Sequence, residues 1–223
     1  MKKLKLTNLA LLVIAIGIFV YAFFIYDTNK PLRYLPVFGE KEYTANKGAT
    51  DTVFHTIQNF SFINQDGKTV TQEALKGSVY VTDFFFTTCQ SICPIMSTQM
   101  ERIYEKYKGN GEVKFLSHTV DPETDTVPQL KAYAIKHHAD ANQWMFVTGS
   151  KKELYGIART GYLLNAEQGD GGPDDFIHTQ NFALIDKDKR IRGFYDGTDS
   201  SEVNQLIKDI DLLLAEYHYK EKK

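Results

Sequence analysis

Cysteine is scarce, with two in 223 residues. That excludes a disulfide-dense scaffold and any zinc site built from four cysteines. Charge of either sign is in no excess: 26 Lys+Arg stand against 28 Asp+Glu, a formal net charge of −2. The basic footprint of a nucleic-acid binder is therefore missing. No internal repeat, low-complexity tract, G-x-S-x-G or H-E-x-x-H motif occurs, so hydrolysis has no recognisable carrier. What remains is an ordinary globular composition, 43% hydrophobic and 24% charged, in a length that suits one domain plus attachments.

One long uncharged run stands apart, from Leu6 to Tyr26, behind Lys2, Lys3 and Lys5. A helix of that length spans the roughly 30 Å hydrocarbon core of a bilayer. It ends in Phe23-Phe24-Ile25-Tyr26, with no A-x-A cleavage pattern and no cysteine to carry a lipid. The run predicts an uncleaved, single-pass signal anchor. Basic residues before it stay on the cytoplasmic side, which puts the rest of the chain outside, where disulfides are allowed. No Arg-rich presequence is present, and the location expected is a bacterial inner membrane with a periplasmic domain. The divisions expected are a basic end (1–5), the anchor (6–26), a polar tether (27–50), a folded domain (51–218) and a solvated tail (219–223).

Beyond residue 51 strands and helices alternate. Phe60 to Ile63, the turn Asn64-Gln65-Asp66-Gly67 and Thr69-Val70 predict a hairpin. Val79 to Phe86 (VYVTDFFF) has the near-continuous apolar character of a strand buried on both faces. Met96, Met100, Ile103 and Tyr107 mark one helix stripe, and Val113 to Val120 a second strand. Thr126, Pro128 and Gln129 predict a capped helix start, with the helix ending near His138. Trp144 to Val147 is a short apolar stretch, and Lys151 to Arg159 predicts a helix. Phe182 to Ile185 and Ile191 to Tyr195 are strands joined by a tight turn. Asp199 and Glu202 predict a capping box before a last amphipathic helix along Leu206, Ile210, Leu213 and Tyr217. This order requires both parallel and antiparallel pairs. It predicts an α/β fold: a thioredoxin-like mixed sheet flanked by helices, preceded by an N-terminal β-hairpin and a single transmembrane helix.

The chemistry concentrates in Thr87-Thr88-Cys89-Gln90-Ser91-Ile92-Cys93-Pro94, which follows the buried strand and opens a helix. Cysteines four apart at a helix start share one face, and the helix dipole favours thiolate there. Three uses compete. An inert disulfide across so short a loop removes little chain entropy. A redox dithiol usually has two residues between its cysteines, whereas three stand here. A metal site needs at least one more ligand, and soft Cu(I) accepts thiolates well.

Among the six histidines, His137 and His138 suit a helix end, where a cation meets the negative dipole. His55 and His218 lie near the domain's ends. His118 sits inside a strand pattern and is a secondary candidate ligand. His178 follows the glycine-rich stretch Gly169 to Asp175 and precedes a buried strand, where a loop can deliver a side chain. Met96 and Met100 carry thioethers, but their helical spacing points to core packing.

Together these pieces resemble the Sco/SenC family of membrane-anchored copper chaperones. The matching elements are Asp83 to Cys89 with Cys93-Pro94; Val120 to Thr126, with its Asp121-Pro122; Trp144 to Gly149; His178-Thr179; Leu184-Ile185-Asp186; and Arg192 to Gly197. The resemblance covers about residues 55 to 215. It implies one copper ion, Cu(I) or Cu(II), held by Cys89, Cys93 and His178, with Cys89 and Cys93 also able to close as a redox disulfide. It implies delivery to the binuclear copper site of cytochrome c oxidase. The partners implied are the copper-site subunit of that oxidase, and another copper carrier or a thiol reductant. Many members carry an acidic residue directly before the histidine, where Ile177 stands here. The alternative activity is thiol–disulfide exchange on the cysteines of the oxidase copper site or on other exported proteins, although such enzymes carry a proline facing the cysteines and the nearest here is Pro173.

Overall fold

The computed structural model describes residues 11–19, 33–46, 49–164 and 179–222. They fall into two compact units, one of residues 1–32 with 215–223 and one of residues 33–214. In the first unit residues 11–19 are helical with exposed apolar side chains. Among the described residues no helix is long and apolar enough to cross a membrane, and the rest of the expected 6–26 span lies outside them.

The second unit is built on a seven-stranded sheet. Its strands are β3 (Ser61–Asn64), β4 (Thr69–Thr71), β5 (Val79–Phe85), β6 (Val113–Thr119), β7 (Trp144–Thr148), β8 (Asn181–Ile185) and β9 (Ile191–Asp196). The order across the sheet is β4-β3-β7-β6-β5-β8-β9. The central strands β5, β6 and β7 are parallel, and β3 and β8 flank them antiparallel. All seven residues of β5 are buried, as its continuous apolar sequence requires.

The helices are α1 (Cys93–Tyr107), α2 (Val127–Lys136), α3 (Lys151–Gly156) and α4 (Ser200–Glu221). On one face α1 lies beside α4, tied by the Tyr107 hydroxyl to Asp211 at 2.7 Å and by Lys106 to Asp211 at 2.6 Å. On the other face Leu154, Tyr155, Ile157 and Tyr162 close a core over Tyr80, Phe84, Leu116 and Val147. This is the mixed, helix-flanked, thioredoxin-like architecture.

Four details differ from the sequence expectation. The hairpin expected ahead of the sheet is its edge: β3 pairs with β4 on one side and with β7 on the other. The β3–β7 ladder is short, so Gln65 extends it. Its amide donates to the Trp144 carbonyl at 2.9 Å and accepts from the Phe146 N–H at 2.9 Å. The expected tether contains a separate two-stranded sheet, β1 (Lys41–Asn46) with β2 (Ala49–Phe54). Its alternating threonines suit a strand, while the nearby Gly48 read as loop. The helix expected to reach Arg159 turns after Gly156 into a π-helical stretch, Ile157–Gly161, where the Tyr162 N–H donates to the Ile157 carbonyl at 2.8 Å. Neither capping box closes fully, although Asp199 caps α4 by accepting the Ser201 N–H at 2.7 Å. Thr126 is the N-cap of α2 without a side-chain cap bond, and Gln129 reaches the Thr87 hydroxyl instead, at 3.4 Å. Glu202 accepts from the Asp196 N–H at 2.7 Å rather than from its own cap.

His118 belongs to the core under α3. Its ring stacks on Phe84 at 4.8 Å and meets Tyr162 and Phe62 at 5.3 and 5.5 Å. Burial lowers its pKa from 6.5 to about 3. Between those values the unfolded chain binds a proton that the folded one refuses, so stability falls as pH drops through that window. Relative to His118→Phe, wild type should lose roughly 2–3 kcal/mol of unfolding free energy between pH 6.5 and 4.5. Urea unfolding at both pH values checks this, and a pH-independent difference would contradict it.

Candidate metal centre

Strand β5 delivers the cysteines. It ends at Phe85, and after seven intervening residues α1 begins at Cys93 with Pro94 in its first turn. Proline fits there because a first-turn N–H has no helical acceptor. Cys89 is half-buried and Cys93 is buried, and both are free thiols.

The α1 N-cap, Ile92, has no side chain able to cap the helix. The Cys89 sulfur lies just ahead of it, where the backbone N–H groups of Ser91 and Cys93 and the Cys93 thiol act to lower its pKa. The Ser91 hydroxyl stands 3.6 Å from the same sulfur. Burial acts to raise the Cys89 pKa, but these donors outweigh it and the net shift is downward. Cys93 moves the other way, to about 12. Burial is the main cause, followed by its own donation to Cys89, with the charges of Cys89 and Asp83 adding to it. The pair is therefore asymmetric: one half-buried thiol whose pKa is drawn down and one sheltered thiol whose pKa is pushed up.

Below the pair, Asp83 points into the face that carries α1. It is buried, one carboxylate oxygen has no hydrogen-bond partner among the described residues, and burial pushes its pKa up to about 7 against a bond from Ser117. Beside Cys89 opens a cleft of about 240 Å³ lined by Cys89, Pro94, Thr98, Tyr133 and His137. His137 does not behave as an exposed helix-end cation. It is buried, its ring packs on Tyr133 at 4.4 Å, and its Nδ1 lies 2.7 Å from Glu101. Burial lowers its pKa against the pull of Glu101.

The other sequence candidates separate cleanly. His118 pairs with Phe84 in the β5–β6 ladder, one residue along from the Asp83–Ser117 pair. Successive strand residues point to opposite faces, so His118 faces away from the side that Asp83 shares with Cys93. It is not a partner of the cysteines. Met96 and Met100 are almost wholly buried in the core, and the His55 ring bonds the Gly161 carbonyl at 2.7 Å. His178 lies outside the described residues. The strand that follows it, β8, runs antiparallel to β5 with Thr82 opposite Ala183, so Asn181 enters the sheet at the end where β5 delivers the cysteines. Among the described residues no three His, Cys, Asp or Glu side chains converge as a complete metal site. Two thiols suit a soft ion.

Sequence reasoning passed over Asp83, Asp125 and His137. Asp83 was signalled by a charge inside an otherwise apolar strand, a placement that proteins seldom tolerate without a use. Asp125 was visible only as part of a motif, and His137 was masked by the helix-end dipole.

Comparison with known proteins agrees with this geometry. The family model described as SCO1/SenC matches residues 48–215. The SCO1 protein homolog of Bacillus subtilis is 35% identical over 162 residues, covering 72% of this chain and 83% of that protein. The structure of a SCO1/SenC family lipoprotein from Bacillus anthracis superposes with a TM-score of 0.61 at 32% identity, over 72% of this chain and 95% of that one. BsSco, a member of the Sco family of cytochrome c oxidase assembly proteins with an identified disulfide switch, gives 0.60 at 33% identity, over 71% and 93%. Arabidopsis thaliana ScoI, whose crystal structure has copper bound, gives 0.56 at 28% identity, over 70% and 98%. With its central strand, its cysteine-bearing loop and most of its length matched in this way, the chain belongs to the SCO1/SenC family.

Proposed function

We propose that the protein binds one copper ion through Cys89, Cys93 and His178 and delivers it to the binuclear copper site of cytochrome c oxidase. The observation that carries this reading is the asymmetric thiol pair at the rim of the sheet where β8 also begins. Cu(I) favours thiolate sulfur, and two neighbouring sulfurs can share one ion once their protons leave. His178, three residues before β8, would complete a low-coordinate site from a loop and could detach as a partner's ligands replace it. The copper-bound Arabidopsis relative and the oxidase-assembly role of BsSco support the same assignment. The partner would be the oxidase subunit that carries the copper site, with a second copper carrier or a thiol reductant upstream. Residues 6–26 would anchor the chain in the inner membrane and hold the domain on the periplasmic side.

A second reading, thiol–disulfide exchange on the oxidase cysteines, is favoured by one observation: a half-buried thiol with its pKa drawn down beside a sheltered one with its pKa pushed up is the order in which a dithiol attacks and then resolves.

Titrating the reduced chain with Cu(I) against a chelator tests the copper reading. Cys89→Ala and Cys93→Ala should abolish tight binding, and His178→Ala should weaken it roughly tenfold or more. Wild-type binding by all three would overturn it. Exchange with a dithiol partner that survives His178→Ala while copper binding is lost would favour the second reading. Under limiting iodoacetamide near neutral pH, Cys89 should be labelled well before Cys93, as peptide mass mapping reads directly; equal labelling would contradict the asymmetry. Removing residues 1–30 should move the protein from the membrane to the soluble fraction on ultracentrifugation.

A further inference from the structure

Asp125 lies in the loop between β6 and α2, far in sequence from the cysteines, yet its side chain reaches their loop. It is fully buried. Its carboxylate accepts the Thr87 N–H, 3.2 Å from each oxygen, and the Thr87 hydroxyl at 2.5 Å on Oδ1. The Thr119 hydroxyl, at the end of β6, donates to Oδ2 at 2.5 Å. From α2 the Gln129 amide donates to the Thr87 hydroxyl at 3.4 Å. Thr87 stands two residues before Cys89, so the first leg of the cysteine loop is fastened to β6 and α2 through one side chain.

The chemistry of that side chain makes the fastening firm. An ionised carboxylate only accepts. Buried, it depends on its donors, and withdrawing Thr87 would leave Oδ1 without the two it has and only Thr119 on Oδ2. Bonds to ionised groups are also stronger than neutral ones. The loop is therefore held on the carboxylate, while further along it the Ser91 hydroxyl stands 3.6 Å from the Cys89 sulfur.

We infer that Asp125 is a positioning residue: through Thr87 it sets where the Cys89 sulfur stands relative to Cys93, and so controls both how tightly copper is held and how readily the pair closes as a disulfide. This rests on the copper reading for its first consequence and on the thiol pair alone for its second.

The test uses the full chain and two readouts: Cu(I) affinity by chelator competition, and the equilibrium between dithiol and disulfide in metal-free protein set against glutathione. Thr87→Val, which keeps the shape and removes the hydroxyl, should weaken Cu(I) binding about tenfold, the scale typical of residues that orient a ligand. It should lower the disulfide equilibrium constant by a similar factor. Asp125→Ala should do more, and Thr87→Ser, which keeps the donor, should restore both. Tyr80→Phe is the control for stability. It removes a buried contact to the Tyr162 hydroxyl, 3.3 Å away at the other end of the sheet, and should lower the unfolding midpoint while leaving both readouts unchanged. Folded Thr87→Val and Asp125→Ala proteins with wild-type values in both readouts would overturn the inference, as would shifts that merely follow the unfolding midpoint. Failure of Cys89→Ala to lose copper would instead overturn the copper reading, and the glutathione equilibrium would still decide the role of Asp125.

Discussion

Strand β5 has no face in water. Its seven residues are buried between two helical layers and between two neighbouring strands, and this burial fixes the line along which the chain must travel. Whatever follows Phe85 emerges at one rim of the sheet with no freedom to choose another. The parallel neighbour β6 ends at the same rim and supplies Asp125 just beyond it, and the antiparallel neighbour β8 begins there. Three separate stretches of chain are thus brought to one place by the pairing of the central strands, before any side chain at the site makes a contact.

The site converts that placement into chemistry through unequal environments. Cys93 opens α1 and Cys89 lies in the loop just before it, yet the pKa of one is drawn down and that of the other is pushed up. The difference comes from which sulfur receives hydrogen bonds and which is sheltered, the general means by which one fold gives two identical groups different work. Asp83 adds a further charge beneath them. Its cost is borne by a strand that could otherwise have been wholly apolar, and the neighbouring Ser117, itself bonded to the Trp144 indole at 3.0 Å, partly meets its hydrogen-bonding needs.

Much of this was legible in the sequence, and the reasons are specific. The run VYVTDFFF can only be a central strand, so its place was readable from hydrophobicity alone. The two cysteines before Pro94 marked a helix start by the stereochemistry of proline. Long-range pairing was less readable. Nothing in Gln129 distinguishes a capping glutamine from one that reaches a loop from another part of the chain, because local spacing is identical in both cases. The β1–β2 pair escaped notice because short polar strands carry little periodic signal. His118 read as a possible ligand because its face depends on register, and register is fixed by partners that a single strand does not reveal.

Gln65 shows how such a register is protected. Its amide group presents a donor and an acceptor side by side, as a peptide unit does, and inserts them between the Trp144 carbonyl and the Phe146 N–H. A strand held by only two residue pairs could otherwise slide. A displacement of one position would leave both ends of a buried amide facing the wrong group, so the side chain works as a keyed pin. The aromatic wall that Phe62 raises against His118 is kept in alignment by that pin, although the glutamine touches neither ring.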